Sequence, residues 1–255
     1  AWWSDPDAGH GLLLAPLAIL LAWRTGIRSA AEPQPILGAS ILLAAVLLRY
    51  VSGLAAELFT LRASLVGAVG AILIYRYGLR QLLHWWLPTA LLVLSIPIPD
   101  VIINTIALPL QLQASEIGAA LLEWRHVPVL LTGNIIRIPG HELFVTEACS
   151  GLRSLTSLLA LGLLVGGLWL RSPWLRALLV AATIPVAILL NGFRVFLTAF
   201  LVYFVDPGLG DGFMHLTEGW MIFVVAFLLL GAVAWGLQRL DRRMRSGPSP
   251  LEELL

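Results

Sequence analysis

The sequence contains one cysteine, no lysine and few charged residues of either sign. A single thiol excludes an intramolecular disulfide, because the chain has no second cysteine to pair with it. Charged residues make up 12% of the chain, hydrophobic residues make up 59%, and the mean hydropathy is +0.89. Soluble domains contain about 45–50% apolar residues, so the composition predicts an integral membrane protein.

Several functional signatures are also missing. All 16 basic residues are arginine, and they form no patch of the kind that binds nucleic acid. The sequence shows no internal repeat, no low-complexity segment and no His/Cys/carboxylate spacing typical of a metal site. No signal peptide with a small-residue cleavage site is expected from it. We therefore expect no nucleic-acid partner, no metal and no cofactor.

Seven segments are candidates for membrane-spanning helices, which need about 20 mainly apolar residues. They run from Gly11 to Trp23, Pro35 to Val51, Leu61 to Tyr77, Leu82 to Ile98, Cys149 to Leu170, Trp174 to Val205 and Glu218 to Leu237. The sixth is longer than a bilayer requires and contains Pro185, which predicts a kink or an end that projects beyond the lipid. The predicted fold class is an all-α polytopic membrane protein with seven, or at most eight, transmembrane helices.

The placement of arginine predicts the orientation of these spans. Ten arginines lie at alternate connections and after the last span: Arg24, Arg28, Arg76, Arg80, Arg171, Arg176, Arg239, Arg242, Arg243 and Arg245. The other connections carry acidic residues: Asp5, Asp7, Glu57, Asp100, Glu142, Asp206 and Asp211. Because cytoplasmic connections carry the excess of arginine, we expect a protein of the cytoplasmic membrane with its N-terminus outside and its C-terminus inside.

The predicted organisation is a single membrane domain in four parts. Residues 11–98 hold the first four spans, 99–148 an extracytoplasmic insertion, 149–237 the last three spans and 238–255 a cytoplasmic tail. In the insertion, Val101 to Trp124 is apolar but interrupted by polar residues, which predicts a helix at the membrane interface. Val127 to Val145 is rich in β-branched residues, and Thr132-Gly133-Asn134 separates two apolar runs, which predicts a β-hairpin.

Cys149 lies where a polar, turn-like stretch meets a long apolar run. Structural thiols more often lie deep in an apolar face, so this position predicts a reactive nucleophile. A helix N-terminus and a nearby cation favour the thiolate, and Arg153 follows four residues later on the same helix face. Ser150 and Gly151 complete the turn as supporting residues. The alternative interpretation is that Cys149 is a small packing residue.

Arg194 and His215 are predicted to lie at the same depth as Cys149. At 1.5 Å of rise per residue, the three residues lie about 27 to 36 Å of helix from the inner arginines of their own spans. The hydrocarbon core is about 30 Å thick, so all three are expected near the outer face. This arithmetic gives depth alone and leaves open whether the helices touch.

The residue types suit an acyl-transfer site. Arg194 cannot act as a base, but it can hold an oxyanion; alternatively it only extends to the outer headgroups. His215 can exchange a proton near neutral pH, with Glu218 one helical turn away to orient its ring; alternatively it is a solvated loop residue. Asn191 lies three residues before Arg194 and can orient it or the substrate.

Other histidines compete with His215. His84 falls on the inner side and His10 near the terminus, whereas His126 and His141 fall in the extracytoplasmic insertion and stay open as alternatives. We interpret His141 and Glu147 as substrate-binding residues, because the insertion is expected to cover the site.

Three motifs follow one another in the second half of the chain. They are Ala148-Cys149-Ser150-Gly151-Leu152-Arg153-Ser154-Leu155, then Asn191-Gly192-Phe193-Arg194-Val195, then His215 before the last span. In this order they resemble the exosortase/archaeosortase family, and Ile96-Pro97-Ile98-Pro99 and the Gly133 to Ile138 hairpin with Pro139 are similar to it as well. The resemblance covers Leu82 to Leu237. The family's usual pattern has one more span, which would fall at Val101 to Trp124.

The resemblance implies a membrane cysteine protease/transpeptidase of PEP-CTERM-type protein sorting. Its partners would be membrane lipid and secreted proteins whose C-terminus carries a short motif such as Pro-Glu-Pro, a span and a basic cluster. The family's Cys–Arg–His trio matches Cys149, Arg194 and His215. The implied reaction forms a thioacyl intermediate at the outer face and transfers the protein to an amine or to water.

Two other functions stay open from the sequence. A non-catalytic assembly or binding subunit would keep the same fold and the same motifs. A transporter with Arg194 as an anion gate would need a polar lining through the bilayer. The last three spans carry few polar residues at mid-depth, mainly Thr183, which disfavours the transporter.

Overall fold

The computed structural model describes residues 11–28, 31–55, 57–96, 100–145, 152–206 and 213–244, with the backbone alone described at 11, 100–104, 152–154 and 213–220. About 80% of the described residues are helical, and the described strands form one small three-stranded sheet. The chain divides into two compact units whose boundary lies between Pro99 and Asp100.

The described part of the first unit contains five helices. They are α1 (Gly11–Thr25), α2 (Pro35–Leu54), α3 (Leu58–Tyr77), α4 (Leu79–His84) and α5 (Trp86–Leu94). Helices α2 and α3 pack through small residues, because Gly38, Ala45 and Ser52 repeat every seven positions on the buried side of α2. A Cβ atom at Gly38 would lie 2.5 Å from the Cα of Tyr75. Such small residues let two helix backbones approach closely in a membrane.

A polar network closes the turn between α2 and α3. The Glu57 carboxylate caps α3 by accepting hydrogen bonds from the backbone N–H groups of Phe59 (3.0 Å) and Thr60 (2.6 Å). It also accepts from the Thr60 hydroxyl, which lies 2.7 Å from the hydroxyl of buried Ser52. The Thr60 hydroxyl and then the backbone N–H groups hold the pKa of the Glu57 carboxyl below its ordinary value.

The cap makes the stability of this helix pair depend on pH. Because the folded pKa is depressed, the ionised carboxylate stabilises the fold above its ordinary pKa, and the contribution is lost as the pH falls through the folded value. We expect Glu57→Gln to lower the melting temperature, followed by tryptophan fluorescence in detergent, at about pH 7 but not at about pH 3. Exposed Glu123→Gln is the control. An equal deficit at both pH values would contradict the assignment.

The fourth predicted span, Leu82 to Ile98, is divided in the structure. Helix α4 ends before Trp85, whose backbone is not helical (φ −86°, ψ 32°), and α5 begins at Trp86. Fully buried Gln81 accepts from the Arg28 N–H (3.0 Å) and donates to the Gly26 carbonyl oxygen (3.1 Å). The Trp85 indole donates to the same oxygen (2.9 Å). These bonds tie the break to the end of α1, and hydropathy alone does not report them.

Among the described residues, four helices are long and apolar enough to cross a membrane. They are Pro35–Leu54, Leu58–Tyr77, Pro173–Phe204 and Met221–Met244, and shorter apolar helices lie at Leu12–Thr25 and Leu155–Trp169. The second, third, sixth and seventh predicted spans therefore correspond to long helices. The total of seven or eight spans is not confirmed, because α1 and α7 are short and the fourth span is divided.

The residues described in the second unit form four helices and the sheet. Its elements are α6 (Asp100–Trp124), β1 (Leu130–Thr132), β2 (Ile135–Ile138), β3 (His141–Phe144), α7 (Leu152–Trp169), α8 (Pro173–Phe204) and α9 (Phe213–Met244). The predicted helix after residue 100 is present. The predicted hairpin is confirmed, since β1 pairs antiparallel with β2 across Gly133 (φ +64°), and a third strand pairs with β2 across Gly140 (φ +82°).

Helix α8 connects two hydrophobic cores in this unit. Its second half packs with α6 and the sheet in a first core: Ala114, Leu122, Val127, Ile136, Ile138, Val145, Val195, Ala199 and Val202. Its first half packs with α7 and α9 in a second core: Leu158, Leu170, Leu175, Leu179, Ala187, Ala226, Leu230 and Ala234. The candidate residues Asn191 and Arg194 lie on α8 between these two cores.

Candidate active site

The predicted site residues are described to different extents. Four of them, Glu147, Cys149, Ser150 and Gly151, lie outside the described residues. For three others, Arg153 on α7 and His215 and Glu218 on α9, the structure describes the helical backbone and not the side chain. Arg194, Asn191 and His141 are described in full. The convergence of Cys149, Arg194 and His215 therefore stays a prediction.

The helices that carry this chemistry pack against one another. Helices α7, α8 and α9 contact each other pairwise and share the second core. Close packing of α7 on α8 is possible because α7 has glycine where α8 approaches; a Cβ atom at Gly162 would lie 2.6 Å from Thr183 Cγ2. The sequence left open whether the last three helices touch, and the structure shows that they do.

A buried carboxylate aligns one end of this bundle. The Asp241 side chain of α9 accepts hydrogen bonds from the backbone N–H groups of Arg171 (2.6 Å) and Ser172 (3.4 Å), at the connection between α7 and α8. Because one side chain joins all three helices here, heights along the bundle can be compared from this level.

Measured from that level, the candidate residues reach similar heights. Arg194 lies 22 residues along α8 from Ser172, which is about 33 Å at 1.5 Å per residue. His215 lies 26 residues along α9 from Asp241, or about 39 Å, and α7 begins about 28 Å from Arg171. The start of α7, Arg194 and the backbone of His215 thus lie towards the same end of the bundle, within about 11 Å in height.

Helix α6 packs closely against α8 next to Arg194. A Cβ atom at Gly192 would lie 2.5 Å from Cβ and Cγ2 of Ile117, and one at Gly118 would lie 2.7 Å from Val195 Cγ1. Both glycines are therefore needed for α6 to cross α8 next to Arg194. Asn191 is buried at this crossing, and the Arg194 side chain is partly buried.

The two histidines of the insertion differ in their surroundings. His141 is the first residue of β3, pairs with Ile138 and is half-buried. His126 is exposed just after α6 and has a positive φ of 60°. His141 is thus held by a strand, whereas His126 lies in a turn.

The middle of the bundle offers no support for a polar pathway among the described residues. Thr183, the polar residue at mid-depth, is fully buried. Its hydroxyl donates to the Val180 carbonyl oxygen of its own helix (2.7 Å), and its methyl group faces Gly162. Because this side chain is fully buried against a neighbouring helix, it does not line an open channel, which disfavours the transporter interpretation.

Three polar residues of this unit escaped the sequence interpretation as contributors to the site. Asp241 sits among arginines of a predicted tail, and only its burial reveals its structural role. Gln111 and Asn134 form a hydrogen bond of 3.3 Å between α6 and the hairpin. Asn134 directly follows a turn glycine, which was a detectable signal, whereas Gln111 carried none.

The described residues form a mainly helical membrane protein with a small antiparallel sheet, and comparison with known families identifies it further. The family model of the transmembrane exosortases (Exosortase_EpsH) matches residues 2–232. The chain therefore belongs to the transmembrane exosortase family and is a membrane protein with a general exosortase-type function. The match extends further towards the N-terminus than the motifs that suggested it. No curated protein and no solved structure matches the chain.

Proposed function

We propose that this protein is a protein-sorting cysteine protease/transpeptidase that cleaves C-terminal sorting signals of secreted proteins at the outer face of the cytoplasmic membrane. The observation that carries the proposal is the bundle of α7, α8 and α9 in an exosortase family member. Its end opposite Asp241 holds the start of α7, Arg194 and the backbone of His215. Cys149 precedes the start of α7 by three residues.

In the proposed reaction the Cys149 thiolate attacks the carbonyl carbon of the scissile peptide bond. A C–S bond forms, and the carbonyl π electrons move to oxygen, where the Arg194 guanidinium stabilises the negative charge. The C–N bond then breaks, and the protonated His215 gives its proton to the leaving nitrogen. The secreted protein stays attached to Cys149 as a thioester.

The thioester is resolved by an amine or by water. The acceptor loses a proton to neutral His215 as it attacks the carbonyl carbon, and the C–S bond breaks to restore the thiolate. Asn191 orients Arg194 or the substrate, and Glu218 orients the His215 ring. Arg153, with Ser150 and Gly151 in the turn, favours the ionised form of Cys149.

The proposed substrate carries a short motif such as Pro-Glu-Pro, a membrane span and a basic cluster. Its span reaches the bundle from the lipid, while its basic tail stays in the cytoplasm, in agreement with the positive-inside rule. Glu147 and His141 bind the motif next to the thiol. Half-buried His141, held in β3, supports this role.

The test of this function is processing of a co-produced secreted reporter that ends in such a signal. We expect a shortened reporter in the presence of the protein, and a full-length reporter when the motif is scrambled and the span and basic tail are kept. Reporter that stays full length in both cases, although it is bound by the protein, would identify a binding subunit instead.

The proposed topology has seven or eight spans, with the N-terminus outside and the C-terminus inside. Reporter fusions are expected to place Leu255 in the cytoplasm and a tag inserted after Asn134 outside. The reason is the excess of arginine at the connections assigned to the cytoplasm. The reverse placement would put Cys149 on the wrong side for secreted substrates and would overturn the proposal.

His215, rather than the histidines of the insertion, is expected to transfer the proton. In the processing assay His215→Ala should lower kcat by about 10²–10⁴-fold, the usual contribution of a general acid–base. His141→Ala should mainly raise KM, and exposed His126→Ala serves as the control. The opposite result, an active His215→Ala and an inactive His141→Ala at equal membrane abundance, would move the base to the insertion.

A further inference from the structure

One residue, Asn134, binds both backbone groups of Val145, the last described residue before Cys149. The backbone N–H of Val145 donates to the backbone carbonyl oxygen of Asn134 (2.9 Å). The side-chain amide of Asn134 donates in turn to the Val145 carbonyl oxygen (3.1 Å). The first bond extends the pairing of β2 with β3 by one residue, and the second is an additional bond that strand pairing does not supply.

The amide that makes this bond is itself held in place. The same Asn134 nitrogen donates to the side-chain oxygen of Gln111 on α6 (3.3 Å), and Gln111 is buried. The Val145 side chain is also buried, in the core that α6 and the sheet share with α8. Residue 145 is thus fixed through its N–H, its carbonyl group and its side chain, and through them to the helix that carries Arg194.

The geometry points to Asn134 as the positioning residue of the nucleophile: it holds the chain that leads into Cys149 in register with Arg194. This inference rests on the proposed function, in which Cys149 attacks the substrate. Cys149 is the fourth residue after Val145, and a fully extended chain covers at most about 14 Å over these four steps. An anchor at Val145 therefore limits how far the thiol can lie from the first core.

The turn alone does not require this asparagine. Gly133 has a positive φ and Asn134 does not, which is the pattern of a two-residue turn that needs glycine at its first position only. Asparagine is common at the second position, but the turn forms through its backbone and does not explain the two hydrogen bonds that the Asn134 side chain donates. They fix the position of Val145, the residue from which the chain continues towards Cys149.

The test replaces the amide by a carboxylate of nearly the same shape. Asn134→Asp removes the donor to the Val145 carbonyl oxygen and puts one oxygen against another. Gln111→Leu is the second variant; it removes only the group that orients the amide, so it is informative even if Asn134→Asp fails to accumulate. Thr132→Ala, an exposed polar residue of the same hairpin, is the control.

The chain has one thiol, so alkylation of the intact protein in membranes reports on Cys149 alone. We expect Asn134→Asp to lower kcat by about 10-fold or more and to lower the ratio of alkylation rates between about pH 7 and about pH 9.5 at least threefold, because a displaced thiol loses the groups that favour its ionised form. Gln111→Leu should change both in the same direction and by less. Thr132→Ala should match the wild type.

Failure of the proposed function and failure of the positioning role give different results. If Cys149→Ala keeps processing activity, the proposed function fails, whatever Asn134 does. If Cys149→Ala is inactive while Asn134→Asp and Gln111→Leu keep the wild-type kcat and alkylation ratio, only the positioning role is overturned. A fall in melting temperature with an unchanged alkylation ratio would show that Asn134 stabilises the hairpin and nothing more, which also overturns it.

Discussion

Cys149→Ser is expected to lower processing of a sorted reporter by at least about 10³-fold, which corresponds to about 4 kcal/mol of activation free energy. The hydroxyl of serine is almost fully protonated near neutral pH, and a site that favours a thiolate has no base strong enough to activate it. The substitution changes one atom, so insertion and abundance in the membrane should not change.

The measurement is the ratio of shortened to full-length reporter at matched membrane abundance, with Thr132→Ala as an exposed control on the hairpin. A thioester-trapping reagent such as hydroxylamine should release reporter from the wild type and none from Cys149→Ser. If Cys149→Ser processed the reporter at more than about a tenth of the wild-type rate, the thiol would not be the nucleophile, and the family resemblance would concern the fold alone.

Sequence reasoning was most successful where one local signal decides the structure. Thr132-Gly133-Asn134 predicted the hairpin correctly because glycine allows the positive φ of the turn. Helix α8 matches the sixth predicted span to within a residue at each end, since a long apolar run with Pro at its first position leaves little choice. The helix across residues 101–124 was also predicted.

Sequence reasoning failed where contacts between distant parts of the chain determine the structure. The division of the fourth span at Trp85 depends on hydrogen bonds to Gly26, more than 50 residues away in the chain, which no window of hydropathy can detect. The third strand pairs through backbone groups and carries His141 and Glu142, two polar residues that broke the apolar pattern used to find strands. The number of spans is not confirmed, because α1 and α7 are short and the fourth predicted span is divided.

For the site, the sequence predicted which residue types take part and their depth in the membrane, but it did not predict which helices contact one another. The packing of α7, α8 and α9 depends on complementary surfaces such as Gly162 against Thr183, and this complementarity is a property of pairs of helices. Asp241 illustrates the same point, since a carboxylate among arginines suggests a surface ion pair, yet it binds backbone N–H groups of another connection. These contacts supply the common level from which the heights of the candidate residues can be compared.

Arg194→Lys is the second substitution with a large expected effect, and it keeps the positive charge. We expect kcat to fall by about 10²–10³-fold, the usual cost of removing one oxyanion donor. The planar guanidinium presents several N–H groups in a fixed fork, whereas an ammonium presents a compact charge on a flexible chain. Arg194 is partly buried on α8 beside the crossing with α6. Water therefore does not readily replace the N–H donors that the lysine side chain lacks.

The matched control is Arg137→Lys, which makes the same change in an exposed ion pair with Glu142 (3.3 Å) on the sheet of the same unit. Exposed pairs contribute about 0–1 kcal/mol, so this control should process the reporter at a rate close to the wild type. The comparison separates the effect of the donor geometry from the effect of the positive charge.

A wild-type rate for Arg194→Lys, with loss of activity for Arg194→Gln, would show that Arg194 supplies charge alone. Hydrogen bonds from its guanidinium to the oxyanion would then have no part in the reaction, and the backbone N–H groups at the start of α7 would be the remaining candidates for that role.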